Sequence, residues 1–254
     1  NAPDDHILIC PPTYGMYAIS AATANIGVHH APLNDDFSLD LDAIKAFKGR
    51  TNLVFLCSPN NPTGNDLSLE RIKKVILGFD GIVVVDEAYI DFTDQRTLLS
   101  ELQQYPNLVV LQTFSKAWGL AALRLGMAFA HPELIKVYNK IKYPYNLNQA
   151  TQELLLEALD NESLKNENVE ELNAEREKLA KQLLDLPYVQ KIYPSEANFL
   201  LVKMDDARGV YESLIKDLVI IRDRSKVVLC DGCVRISIGT KEENLVLMNS
   251  LKAL

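Results

Sequence analysis

Five runs of the chain, at residues 7–10, 53–57, 82–85, 108–111 and 125–130, are apolar at nearly every position rather than at alternate ones. Strands that read this way are covered on both faces, the environment of a mostly parallel sheet flanked by helices. Between them lie stretches with helical spacing, at 67–77 and in a segment opened by Pro132, where proline is tolerated at the first helical position. The first ~145 residues therefore predict an α/β unit. After Pro144 the pattern changes: 148–159 predicts a helix, and Val169, Leu172, Leu179, Leu183 and Leu186 recur at helical spacing, with Glu177 and Lys181 as an i,i+4 pair on the polar side. Pro187 ends that helix, and strands predicted at 198–202, 219–221 and 234–238 alternate with helices at 207–216 and 242–251, an α+β arrangement with its own core. The expected division is a large unit, 1–150, and a small one, 151–254, which includes the long helix between them.

Length and charge narrow the functional classes. At roughly 150 residues per domain, 254 residues suit one large or two unequal domains with a sizeable core. Acidic residues outnumber basic ones 34 to 26, a net charge of −8, so no broad basic surface is expected for a nucleic acid. No run approaches the ~20 apolar residues of a membrane-spanning helix. The start of the chain has neither a basic region nor an apolar stretch of a secretory leader. Cys10 and Cys57 sit in apolar runs, where a thiol behaves as a small buried hydrophobe. Cys230-Asp231-Gly232-Cys233 has the spacing of a metal knuckle or redox pair, but zinc would need two further ligands, and neither a second C-x-x-C nor a spaced His pair accompanies it. A Gly-containing turn with reduced thiols, no metal and a cytoplasmic setting are the expectations; the Asn161-Glu162-Ser163 sequon then has no role.

In α/β sheets ligands gather beyond the carboxyl ends of the strands, so the loops there are where chemistry is expected. Ser58-Pro59-Asn60-Asn61-Pro62-Thr63-Gly64 follows one apolar run; its prolines fix φ and its glycine permits a sharp turn, so the asparagines between are held rigidly. Asp86-Glu87-Ala88-Tyr89 follows the next, and a carboxylate ending a wholly apolar strand needs either a cation or a role as a helix cap. Thr113-Phe114-Ser115-Lys116-Ala117 follows the third, with Arg124 eight residues beyond Lys116. A lysine and an arginine flanking a hydroxyl suit an anion or, if Lys116 is desolvated, an amine nucleophile; a lone lysine is otherwise a solvated surface charge. An amine, a buried carboxylate, a rigid amide, a phenol and an anion site together suit pyridoxal phosphate.

These segments, in this order and with 25 and 30 residues separating Asn61, Asp86 and Lys116, resemble the class I/II aminotransferases of the aspartate aminotransferase fold, that is fold type I pyridoxal-phosphate enzymes with an α/β large domain and a smaller α+β domain. Within them, Pro11-Pro12-Thr13-Tyr14-Gly15-Met16-Tyr17, Ala88-Tyr89-Ile90-Asp91-Phe92 and the run from Gly232 through Arg235 to Thr240 are similar to the histidinol-phosphate aminotransferase family, and the resemblance covers essentially the whole chain. It implies that Lys116 forms a Schiff base with pyridoxal 5′-phosphate and then moves a proton as general base and acid, and that Asp86 pairs with the pyridinium nitrogen. Asn61 and Tyr89 would hydrogen-bond the ring oxygen, Tyr14 would stack on the ring, and Ser115 and Arg124 would hold the cofactor phosphate. Arg235 would take the amino acid carboxylate in a bidentate pair, with Asn61 beside it, and Arg222, thirteen residues earlier, the phosphate of histidinol phosphate; an ion pair with Asp223 or Asp217 is the other use of Arg222.

The implied activity is amino transfer between histidinol phosphate and 2-oxoglutarate, with imidazole acetol phosphate and glutamate on the other side, in histidine biosynthesis by a cytoplasmic homodimer. Members of this family begin well upstream of the first strand, with an arm that completes the small domain and crosses the dimer and a helix N-terminus that binds the cofactor phosphate. Here Asn1 stands only six residues before that strand, so a truncated chain or part of an enzyme is expected, with Ser115 and Arg124 left to hold the phosphate. Two rivals share the same residues: an aromatic aminotransferase or a decarboxylase of a phosphorylated amino acid, and a non-catalytic module that keeps the fold. Replacement of Lys116 or Asp86 would favour the last, and both are present.

Overall fold

In the computed structural model, which describes residues 5–254, the apolar runs become strands of two sheets. The strands are β1 (His6–Ile9), β2 (Gly27–His30), β3 (Leu53–Cys57), β4 (Ile82–Asp86), β5 (Leu108–Thr113), β6 (Gly126–Ala130), β7 (Val189–Ile192), β8 (Phe199–Met204), β9 (Arg222–Asp223) and β10 (Cys233–Ser237). The helices are α1 (Met16–Thr23), α2 (Leu41–Lys45), α3 (Leu69–Gly78), α4 (Pro132–Ile141), α5 (Gln149–Leu159), α6 (Glu162–Leu184), α7 (Ala207–Lys216) and α8 (Lys241–Lys252). The first sheet has the order β2-β1-β3-β4-β5-β6, parallel except for β6, which runs antiparallel to β5. The second has the order β7-β8-β10-β9 and is antiparallel. None of the helices among the described residues is long and apolar enough to cross a membrane.

The parallel register explains the unbroken apolar runs. Val54, Leu56, Val83, Val85 and Val110 turn to one face and join a core with Ile72, Val75 and Ile76 of α3. Val84 and Val109, at the intervening positions, are buried as well. Each such side chain contributes about 2 kcal/mol relative to exposure, so neither face tolerates a polar residue. Because β1, β3, β4 and β5 run the same way, the loops that follow them emerge on one edge of the sheet.

The second sheet lays one face on Leu179 and Leu183 of α6, Leu214 of α7 and Met248 of α8. Asn244 ties these helices to the sheet: its amide nitrogen donates to Glu175 of α6 (3.1 Å) and to the Gly239 carbonyl (3.1 Å), while its oxygen accepts from the Gly239 N–H (3.0 Å). A smaller cluster joins the two sheets, with Val169 of α6 and Ala197 and Phe199 packed on Tyr89, Phe92 and Ala117.

Some elements differ from expectation. The strand expected at 219–221 is displaced to Arg222–Asp223, because Leu218 takes φ 61° after α7 and the Val219 N–H closes the helix end on the Leu214 carbonyl (2.9 Å); 219–221 is the exit from that cap. β2, β7, α1 and α2 carry too weak a pattern to be read: β2 is Gly-Val-His-His at a sheet edge, and α2 is five residues held by the Asp40 cap. Glu177 and Lys181 do not pair; on α6 it is Lys178 that reaches Glu175 (3.3 Å), and Lys241 of α8 reaches Glu171 (2.8 Å). The thiols at 230 and 233 flank a turn in which Gly232 has φ 66°, and all four cysteines are free and buried. Among the described residues no group of three or more His, Cys, Asp or Glu side chains can hold a metal.

Where the loop after β3 meets the segment before β8, the Glu196 N–H donates to the Gly64 carbonyl (2.7 Å). Gly64 has φ 83°, and a Cβ there would lie 2.4 Å from Ser195 Oγ, so only glycine suits this approach. Two residues on, Asp66 accepts from Thr93 Oγ1 (2.5 Å) while its other oxygen is buried without a partner. Burial pushes its pKa up from an ordinary 3.8 to about 6, with the Glu196 charge adding and Arg176 and the Thr93 bond opposing. Since the folded value lies above the unfolded one, the stability tied to its proton is complete below about pH 4 and is lost as pH rises through about 6. Asp66→Asn is therefore expected to raise stability over the parent by about 1 kcal/mol near pH ~7.5, after allowance for solvent screening, and to do nothing near pH ~4. Urea unfolding at both pH values checks this, and an equal gain at both would remove the titration as its source.

Candidate active site

A cleft of about 590 Å³ opens at the carboxyl edge of the first sheet, walled by Tyr14, Asn61, Asp86, Tyr89, Ser115, Lys116 and Arg124. These are the residues singled out at the strand-end loops, brought together from positions up to 110 apart by the common direction of β1, β3, β4 and β5. The loops themselves are cross-braced. Asn60 accepts from Thr13 Oγ1 (3.1 Å) and donates to the Pro12 carbonyl (2.8 Å) and to Thr63 Oγ1 (2.7 Å), which fastens the loop after β1 to the loop after β3.

Asp86 ends β4 with its carboxylate at the floor of the cleft. It accepts from Tyr17 Oη (2.6 Å) and from the Ala88 N–H (3.1 Å), and among the described residues no lysine or arginine lies within ion-pairing distance. Burial pushes its pKa up, against those two hydrogen bonds and the charge of Lys116. The expected choice between a cation and a cap thus resolves to a turn contact with Ala88, leaving the charge without a cation of its own. The neighbouring Glu87 points the other way and is saturated by Thr97 Oγ1 (2.5 Å), the Leu98 N–H (2.8 Å) and Gln112 Nε2 (2.9 Å), a structural carboxylate.

Lys116, half-buried on the loop after β5, stands over the ring of Tyr89 at 5.3 Å. Burial lowers its pKa, and the charges of Arg235 and Arg124 lower it further against Asp86, so more of it is free amine near neutral pH than of a surface lysine. Burial likewise raises the Tyr89 phenol to about 12, against Arg235. Asn61 Nδ2 donates to Tyr89 Oη (3.4 Å), and Arg235 Nη1 from β10 donates to Asn61 Oδ1 (2.7 Å), so three of the singled-out residues form one chain across both sheets.

Ser115 and Arg124 lie together on the wall. Arg124 has φ 56°, a left-handed conformation that costs a non-glycine residue energy, and its exposed guanidinium donates to the Ala121 carbonyl (2.8 Å), leaving most of its donors free. Tyr14 stands edge-on to Tyr17, with ring centres 5.5 Å apart. Arg222 is exposed on β9, directly opposite Arg235 in the ladder, and forms no ion pair with Asp223 or Asp217.

Two neighbours of the site were not singled out from the sequence. Tyr17, buried and stacked on Phe55 at 4.6 Å, holds Asp86 through its hydroxyl. Its signal was present in Tyr14-x-x-Tyr17, the spacing that puts two side chains on one side of a helical turn. Cys57, at the end of β3, lines the cleft beside Asp86, and burial pushes its thiol up to about 12, so it is an inert wall rather than a nucleophile.

The sequence profile of the family described as aminotransferase class I and II matches residues 1–251. A histidinol-phosphate aminotransferase from Cytophaga hutchinsonii is 54% identical over 249 residues, a match spanning 98% of this chain and 72% of that protein. Among solved structures, the histidinol-phosphate aminotransferase of Clostridium acetobutylicum superposes with a TM-score of 0.91 at 22% identity, over 98% of this chain and 77% of the other. That of Sinorhizobium meliloti, solved in complex with pyridoxal 5′-phosphate, superposes with a TM-score of 0.89 at 23% identity, over 98% and 71%. At these identities the two structures speak for the fold, an α/β aminotransferase fold with a mostly parallel sheet, while the sequence matches speak for the family. The chain belongs to the class I and II aminotransferase family, among its histidinol-phosphate aminotransferases.

Proposed function

We propose that the chain transfers an amino group between histidinol phosphate and 2-oxoglutarate, in histidine biosynthesis, with pyridoxal 5′-phosphate as cofactor. The observation that carries this reading is the meeting of a desolvated amine, Lys116, and a buried carboxylate without a cation, Asp86, in one cleft. The residues present suit the cofactor. A protonated ring nitrogen would supply the cation that Asp86 lacks, and the Asn61–Tyr89 pair offers donors for the ring oxygen. The cleft is within the ~300–1,000 Å³ of pockets that enclose small molecules. When bound, the cofactor supplies an electron sink for the pair left at the substrate Cα.

The chain's own residues do the rest. Lys116 Nζ would hold the cofactor at rest and, once displaced by the incoming amine, carry the proton between the substrate Cα and the cofactor C4′; a depressed pKa keeps it able to accept that proton near neutrality. Tyr17 would keep Asp86 aimed at the ring nitrogen, Tyr14 would cover the ring, and Ser115 and Arg124 would bind the phosphate. Arg235 would exchange its contact with Asn61 for the glutamate carboxylate, and Arg222 would meet the phosphate of the other substrate.

Two units, 1–150 and 151–254, would each carry one sheet, the cleft lying in the first and Arg235 reaching over from the second. A homodimer is supported by the exposed apolar side chains of Ile141, Tyr143, Tyr145, Leu154 and Leu156, and a cytoplasmic setting by the free thiols.

Visible absorption of the chain mixed with pyridoxal phosphate tests the reading. Addition of glutamate, or of histidinol phosphate in a separate sample, is expected to convert the protein-bound band to the pyridoxamine form. Conversion by glutamate but not by histidinol phosphate would reject the substrate, and release of carbon dioxide from a phosphorylated amino acid without that conversion would replace amino transfer by decarboxylation.

A further inference from the structure

Helix α6 turns one face to the two loops that carry Tyr89 and Lys116. Val169 packs with Tyr89, Phe92 and Ala117, Leu172 joins the same cluster, and Asn173 Nδ2 donates to the Phe92 carbonyl (3.2 Å). A helical turn before Val169, on that face, stands Lys165, whose ammonium lies 3.1 Å from Asp91 Oδ1 and 5.4 Å from the centre of the Trp118 ring. A further carboxylate, that of Glu162, is 4.0 Å away. The Lys165 side chain is 11% exposed, whereas the other lysines paired with carboxylates among the described residues are 34% to 67% exposed. Withdrawing an ammonium group from water is costly unless its contacts are held, so Lys165 binds its partners together instead of ranging over the surface.

Each of those partners shares a short turn with a residue of the cleft. Asp91 lies in the single helical turn Ile90–Phe92, which the Phe92 N–H closes on the Tyr89 carbonyl (3.0 Å). Trp118 lies in the turn that the Gly119 N–H closes on the Lys116 carbonyl (2.9 Å), and its ring stands edge-on to Phe114, with centres 5.5 Å apart. In a closed turn, a side chain held at one position fixes the backbone from which its neighbour departs. The 5.3 Å between Lys116 Nζ and the Tyr89 ring is therefore set by how the two turns lie against each other, and Lys165 touches both. Its ammonium meets a carboxylate on one side and the face of an indole on the other, contacts that strengthen as water is excluded.

Resting on the amino transfer proposed above, we propose that Lys165 is a positioning residue for Lys116. Through Asp91 and Trp118 it holds the turn of Tyr89 and the turn of Lys116 in fixed register, so that Lys116 Nζ stays where a proton can pass to and from the substrate Cα. Such a transfer is steep in distance, and a misplacement of about 1 Å caused by a residue outside the chemistry costs up to about a hundredfold. Lys165 itself touches neither substrate nor cofactor and is absent from the walls of the cleft.

The test follows single-turnover amino transfer from glutamate, at varied concentration, in the cofactor-loaded protein. Lys165→Met keeps the stem against Trp118 but removes the charge; it is expected to slow the step by about tenfold or more while the half-saturating glutamate concentration moves by less than about twofold. Lys165→Arg can reach both partners and is expected to stay within about threefold of the parent. Asp91→Asn is expected to be slow as well, and the double variant to be within about twofold of Lys165→Met, because the pair acts as a unit. A second readout needs no cofactor: Trp118 is the sole tryptophan of the chain, and acrylamide quenching of its fluorescence is expected to rise about 1.5-fold in Lys165→Met, as the indole face opens, and to stay parental in Lys165→Arg. Thermal unfolding identifies any variant that has lost its fold, and if Lys165→Met has, Asp91→Asn carries the same comparison. Raised quenching with a parental rate would make the contact merely structural and overturn the proposal, and a slowed rate with parental quenching would overturn it by removing Trp118 as the route. A parent that takes no amino group from glutamate would overturn the reaction and the positioning role together, which the parent alone distinguishes from a failure of Lys165.

Discussion

Lys116→Ala is expected to lower single-turnover amino transfer from glutamate by about four orders of magnitude or more, with the fold intact. Among the described residues that line the cleft, Lys116 is the only lysine. Lys116 Nζ lies over the Tyr89 ring, and the remaining cations near the cleft, Arg124 and Arg235, are guanidinium groups that stay protonated and cannot accept a proton from Cα. Lys116→Arg separates the two properties of the side chain, since it keeps a positive charge over Tyr89 but removes the basic amine; it is expected to be as inactive as the alanine variant. Stability is expected to be unchanged or slightly raised by the alanine, because among the described residues the Lys116 side chain has no hydrogen bond or ion pair to lose, and burial lowers its pKa. Rapid-mixing absorption measurements with glutamate read the first effect and urea unfolding the second. Transfer within about tenfold of the parent by the alanine variant would remove Lys116 from the chemistry.

Asp86→Ala is expected to lower amino transfer by about three orders of magnitude, and to do so while stabilising the cofactor-free protein. The opposite signs come from one fact, the burial of a carboxylate at the end of β4 without a cation. In the cofactor-free protein that burial raises its pKa, so its contribution to stability is present at low pH and lost as pH rises through the folded value. Removing the group lifts that penalty near neutrality, although the Tyr17 hydroxyl then loses its acceptor and returns part of the gain. Asp86→Asn keeps an acceptor for Tyr17 and is expected to show the larger gain. In the loaded enzyme the same carboxylate would hold a proton on the ring nitrogen, and without it the electron sink weakens. Chemical unfolding of the cofactor-free variants at neutral pH and single-turnover rates of the loaded ones measure the two arms. An Asp86→Asn protein less stable than its parent would show that the carboxylate is compensated by something other than the ligand.

Both effects depend on residues that are readable one by one along the chain, yet their consequences are not. The apolar runs at 53–57, 82–85 and 108–111 require strands covered on both faces, and that requirement places Asn61, Asp86 and Lys116 at or just beyond the strand ends along one edge of a sheet. Family membership is equally a property of the sequence, because the same residue types recur at the same spacings. The weak elements were not legible. β2, with its two histidines, is held by its pairing with β1, and 219–221, rich in β-branched residues, yields to the cap of α7. In both places a tertiary contact outweighs a local preference worth a few tenths of a kcal/mol per residue.

The sequence by itself determined the mostly parallel sheet, the chemical inventory of the cleft and the family. Only the tertiary structure decided which members of that inventory touch: Tyr17 on Asp86 across 69 residues and Arg235 on Asn61 across 174. Strand identity follows from composition and period over a few residues, which the chain carries locally. Electrostatic coupling and hydrogen bonding depend on separation and burial in space, and a chain of 254 residues acquires those only when its two sheets meet.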